Sequence, residues 1–224
     1  MQRRKFIAGM GSLAAAGAAG IGTGAFSAMS AGRSADVNVV NDSDGLIALT
    51  VGDGADGRVS VDDGELGISF TSDNGGQGVN KNSRYQVGVF EDKGWAVPDG
   101  ALEVASSGTP AFEIVNQDTS NHEVDIEYDC DAHDIGNATV FFQLWHAHGT
   151  GVKHYTIGGR SGARKITGTD TSAALSDENQ EIPKGGAPYA PGDTIGGAML
   201  VDTRNVTMDP ADLDLSGTLT VSSN

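Results

Sequence analysis

The stretch "HEVDIEYDCDAHDI" (His122–Ile135) alternates Glu123, Asp125, Glu127, Asp129 and Asp131 with Val124, Ile126, Tyr128, Cys130 and Ala132. A period of two marks a strand with one buried and one wet face, so all five carboxylates are expected on the same side. The same alternation recurs on both sides of this segment. Strands are expected at "ADVNVV" (35–40), "LIALTV" (46–51), "ELGISFT" (65–71), "RYQVGVF" (84–90) and "AFEIVN" (111–116). Further along come "ATVFFQLWH" (138–146), "GGAMLVDT" (196–203) and "SGTLTVSS" (216–223). Turns rich in Gly, Asp and Asn, such as "GDGADGR" and "SDNGGQG", separate them.

With 33 glycines and hardly any helical period, this pattern predicts a single all-β domain over residues 32–224. Eight or nine such runs suit a two-sheet sandwich of jelly-roll type. The run at 138–146 is apolar on both phases, which predicts a central strand covered on both faces. Residues 149–193 break the rhythm and read as an insertion, with room for one short helix in "TSAALSDENQEIPKGG". Lys153, Arg160, Arg164 and Lys165 place four basic residues there within thirteen positions. They read either as an ordinary surface insertion or as a positive patch for a negative face of another subunit.

The first 31 residues stand apart. Arg3, Arg4 and Lys5 precede a long uncharged Ala/Gly run, with small residues at Ala28 and Ala31. This is the layout of a cleaved export signal. Ala and Gly contribute too little transfer energy for a membrane anchor. The paired arginines followed by Lys5, Phe6 and Ile7 resemble a twin-arginine leader. A secreted, extracellular or surface-held protein is expected, with no membrane span after cleavage.

Without the leader's three cations, 11 basic residues face 30 acidic ones, a net of −19. Such a surface repels nucleic acid, whose phosphates need the opposite sign. It also repels itself in dilute buffer, whereas at about 1 M salt the screening length falls to about 3 Å. The composition therefore suggests a protein made for high salt. The single cysteine excludes an internal disulfide, and its phase predicts a buried, unreactive Cys130.

No motif of nucleophilic, zinc-peptidase or phosphate-loop chemistry is present. His146, His148 and His154 form the one histidine cluster in sequence that transition-metal chemistry would use, without a carboxylate soon after the H-x-H pair. Cys130 and His133 mimic a copper-ligand loop, but a methionine is missing where the axial ligand would stand. Calcium suits the acidic residues better, since it takes six to eight oxygens. Its candidate ligands are Asp125, Glu127, Asp129 and Asp131, completed by Asp53 and Asp56, by Asp62 and Asp63 with Glu65, or by another molecule. The competing reading is a solvated acidic face. Asn41, Asn137 and Asn205 each begin an N-x-S/T sequon.

"RSADVNVVND", "FEIVNQDTSNHEVDIEYD" and "APGDTIGGAMLVDTRN…LSGTLTVSS", behind such a leader, resemble a family of secreted proteins of halophilic archaea known as a domain of unknown function. That family is similar in turn to TasA/camelysin-type jelly rolls. The resemblance implies self-assembly into extracellular fibres by donor-strand complementation, in some relatives with calcium at the junctions. It carries over no peptidase activity. The donated strand would be Ser34, Ala35, Asp36, Val37, Asn38, Val39, Val40 and Asn41, with Val37 and Val39 on one face. A calcium-dependent homopolymer of a cell surface or biofilm matrix is thus the expected function. The alternatives are a monomeric module binding glycan or protein through Trp95, Trp145 and Tyr155, and a histidine-based metalloenzyme.

Overall fold

The computed structural model describes residues 36–40, 46–62, 65–70, 79–148, 151–158, 172–174, 189–209 and 212–223. All belong to one compact unit, Arg33–Asn224. They form an all-β sandwich. The first sheet runs, in spatial order, β12 (Ser172–Ala174), β9 (Val124–Cys130), β14 (Gly217–Ser223), β1 (Asp36–Val40), β4 (Glu65–Ser69) and β3 (Val59–Asp62). The second runs β11 (Gly151–Ile157), β10 (Thr139–His148), β13 (Thr194–Asp202), β8 (Phe112–Asn116) and β2 (Ile47–Val51), with β5 (Arg84–Val87) paired further along β13. Successive strands mostly change sheet, as from β1 to β2 and from β13 to β14, so each sheet depends on the other being in place.

The alternation read from the sequence sorts the side chains. On β9, Val124, Ile126, Tyr128 and Cys130 are buried, while Glu127 and Asp129 are exposed and Asp125 is half-buried. The inward phase of β10 (Val140, Phe142, Leu144) meets it across the core, where the Tyr128 and Phe142 rings lie 5.0 Å apart. Valines and isoleucines dominate these positions because a pleated, half-buried surface accommodates β-branched side chains well.

The outward phase of β10 is buried too. "RYQVGVF" is not one strand: Gly88, at φ 80°, splits it. A Cβ there would stand 2.9 Å from the Ala111 nitrogen and from the Ala198 methyl, so only glycine allows the turn-out. The chain then crosses to the outer face as a strap, made of β6 (Phe90–Glu91), one 3₁₀ turn (Gly94–Ala96) and β7 (Val104–Ala105). Phe90, Phe141, Ala198 and Leu200 form a second, smaller core beneath it, flanked by Trp145. Residues 138–146 are accordingly central and covered on both faces, as their sequence predicts.

Within 149–193, Gly151–Ile157 forms the edge strand β11 by a hairpin with β10, and its Tyr155 and Ile157 reach the main core. Ser172–Ala174, in the segment with room for a helix, pairs with β9 as β12. Arg160, Arg164 and Lys165 lie outside the described residues.

Candidate functional site

β1 holds an unusual position. It is the first strand of the domain, yet it lies in the interior of its sheet, parallel to β14 on one side and antiparallel to β4 on the other. Val37 stands opposite Gly217 and Ile68, and Val39 opposite Leu219 and Leu66, with both valines wholly buried. Residues 41–45, which lie outside the described residues as do Ser34, Ala35 and Asn41, are all that separate it from Leu46 ahead of β2. Removing β1 would divide a six-stranded sheet into β12-β9-β14 and β4-β3 and expose two rows of backbone groups and a strip of core.

The acidic row faces outward from β9. Register places Ser222 of β14 beside Asp125, Thr220 beside Glu127 and Thr218 beside Asp129. Hydroxyl-bearing residues therefore line the carboxylates on the neighbouring strand. Asp131 is exposed just past the strand end, its amide bonded to the Ser216 carbonyl at 2.8 Å. Asp53 and Asp56 are exposed in the β2–β3 connection, and Asp62 pairs with Glu65 at the β3–β4 turn. Asp63 lies outside the described residues. β3 and β9 are four strand spacings apart, about 19 Å at the usual interval. A single chain thus separates the two acidic groups that the sequence reading combined. Among the described residues, no three His, Cys, Asp or Glu side chains converge as a metal group.

The histidines divide between faces. Trp145 pairs with His154 and His146 with Lys153, so His146 and His154 take opposite sides of the sheet. His146 is buried at one end of the sandwich, its Nε2 3.2 Å from Asp193 Oδ2 and its ring edge-on to Tyr189. Tyr189 donates to the Ile114 carbonyl at 2.7 Å, and burial raises its hydroxyl above the ordinary range. The Asn116 side chain ties the Tyr189 and Ser120 carbonyls together, and nearby His122 lies 2.7 Å from Asp118, whose carboxyl that bond lowers. These contacts fasten the "APGD" turn to the loop after β8 and amount to a structural clasp.

A second polar cluster lies under the strap. Gln143, fully buried in the apolar run "VFFQLW", accepts from the Glu91 amide at 2.8 Å and donates to the Glu91 and Ala96 carbonyls at 3.0 and 2.9 Å. His154 Nε2 lies 3.0 Å from Glu91 Oε2, off the direction of an aligned hydrogen bond, and Lys93 Nζ is 3.8 Å from Glu91 Oε1. The sequence reading passed over this cluster, whose one signal is a lone glutamine amid apolar residues. Of the three rings proposed for stacking, Trp95 is 55% exposed, Trp145 is half-buried against Gly108 and Gly196, and Tyr155 is wholly buried. Tyr155 therefore has no face to offer a ligand.

No family model, curated protein sequence or solved structure matches this chain. No helix among the described residues is long and apolar enough to cross a membrane.

Proposed function

We propose that this protein is a secreted structural subunit that polymerises head to tail, each chain supplying β1 to the sheet of the next. The observation that carries this reading is the interior, two-sided pairing of an end strand that five residues connect to the rest of the domain. A neighbour's β1 would form the same main-chain ladders and seat the same two valines. Backbone bonds would supply affinity and alternate side chains the register. A head-to-tail contact that does not close on itself yields a filament. Calcium would bridge the acidic rows of β9 between subunits, using Asp125, Glu127 and Asp129 with the hydroxyls of β14. Interactions between subunits are favoured because the second acidic group is about 19 Å away within one chain.

The test is a chain lacking residues 34–41, studied in molar salt by light scattering and electron microscopy as calcium is raised and then chelated. The full chain should grow into fibres reversibly. The deletion should not, and it should bind a synthetic peptide of residues 34–41. Fibres from the deletion would refute strand donation, and a full chain that stays monomeric at every calcium level would refute assembly. In that case the exposed Trp95, with Leu102 and Val104 on the same strap, favours a binding surface instead.

A further inference from the structure

Two of the three sequons occupy equivalent places in the fold. Ile135–Ala138 and Thr203–Val206 are both four-residue turns closed by a hydrogen bond of 3.2 Å, from the Ala138 amide to the Ile135 carbonyl and from the Val206 amide to the Thr203 carbonyl. Asn137 and Asn205 each hold the third position of their turn. The first and fourth residues of both turns are buried and anchor the turn in the core, while each asparagine is exposed at the apex. Among the described residues, neither side-chain amide has a hydrogen-bond partner. The threonines two positions on are accessible, Thr139 half-buried at the start of β10 and Thr207 exposed.

The two turns are also neighbours. Thr139 pairs with Asp202, so one turn leads into β10 and the other leaves β13 at the same end of the sheet. Leu46, Asn116 and Asp193, around the exit of β1, lie at the opposite end.

We propose that Asn137 and Asn205 are both N-glycosylated and that this end of the sandwich is a glycan-bearing pole. In the step, a bond forms between the asparagine Nδ2 and the anomeric carbon of a lipid-phosphate-linked oligosaccharide. The carbon–oxygen bond to the lipid phosphate breaks, the phosphate leaves with the electron pair, and Nδ2 gives up one proton to a base of the transferase. A chain exported already folded offers only its surface to that enzyme. An exposed Asn on a surface turn with a Thr two positions on meets the acceptor rule of such an enzyme. The inference rests on export, not on fibre formation, since a monomer would bear the same two glycans.

Mass spectrometry of the chain recovered from the medium of its native source tests this. The intact mass should exceed that of the leader-cleaved polypeptide by two glycan increments. N137Q and N205Q should each lose one increment and the double variant both, while T207S, which keeps the sequon, should retain both. The substituted amides bond to nothing among the described residues, so the variants should be secreted and should melt as the parent does. A parent mass equal to the bare polypeptide, or a mass that N137Q or N205Q leaves unchanged, would overturn the proposal.

Discussion

His154 Nε2 stands 3.0 Å from Glu91 Oε2, with both side chains almost fully enclosed between the strap and the outer face of β10 and β11. Burial, ahead of every other cause, lowers the His154 pKa below the ordinary 6.5; Glu91 opposes the shift and Lys93 adds to it. Between the folded and unfolded pKa values the unfolded chain binds a proton that the folded chain refuses. Stability is therefore complete above about pH 6.5 and falls as the pH drops below it. His154→Gln should lose this dependence, and the gap in melting temperature between it and the parent should narrow from pH 8 to pH 5.5. Glu91→Gln, which removes the opposing charge, should steepen the fall. Parallel melting curves for parent and H154Q across that range would contradict the assignment.

Gln143 satisfies three buried main-chain groups. A leucine of similar size would leave them unpaired at a cost of about 3 kcal/mol. Gln143→Leu should lower the melting temperature by about 6–12 °C. Amide exchange at Glu91 should accelerate before that of β14, because the strap loses its anchor while the main core keeps its own. Uniform acceleration throughout the sandwich would show that the strap is not an independent unit.

Neutralising the outer row of β9 with Asp125→Asn, Glu127→Gln and Asp129→Asn should have two separable effects. Like charges two residues apart on a strand repel each other, so the triple variant should stay folded at lower salt than the parent. Under the proposed function it should also lose the calcium-dependent rise in scattering. Circular dichroism against salt reads the first effect and light scattering the second. Calcium-driven growth undiminished in the triple variant would remove this row from the junction.

Burial pushes the Cys130 thiol up to about 11, with the hydrogen bond to Tyr128 acting in the opposite sense. At pH 8 the thiolate is scarce and the sulfur enclosed, so a thiol reagent should label the native chain at least a hundredfold more slowly than the denatured one. Rapid native labelling would mean that the edge formed by β9 and β12 opens readily.

Where a strand has one wet face, period two exposed it: β9, β8 and β14 fall within a residue or two of their expected limits. The strap was not legible because its order depends on what it covers. Phe90 and Glu91 are ordered by Phe141 and Gln143, some fifty positions away. β11 was hidden for a related reason. Its first residues are exposed and its last ones are covered on both faces, so no single period runs through it. As for the candidate site, the sequence showed that Val37 and Val39 share a face, and the structure buries it. It could not show that β14 and β4 would enclose them, since β4 follows only after two intervening strands and β14 lies at the far end of the chain.

The enclosure of β1 also has a bearing on timing. A newly folded chain completes its own sheet, and its own strand, tethered by five residues, occupies the slot at an effective concentration on the order of millimolar. Under the proposed function, an incoming neighbour must evict that strand before it can bind. Growth from purified protein should then begin with a lag set by that eviction, and fragmented fibres, which present slots already exchanged, should shorten it.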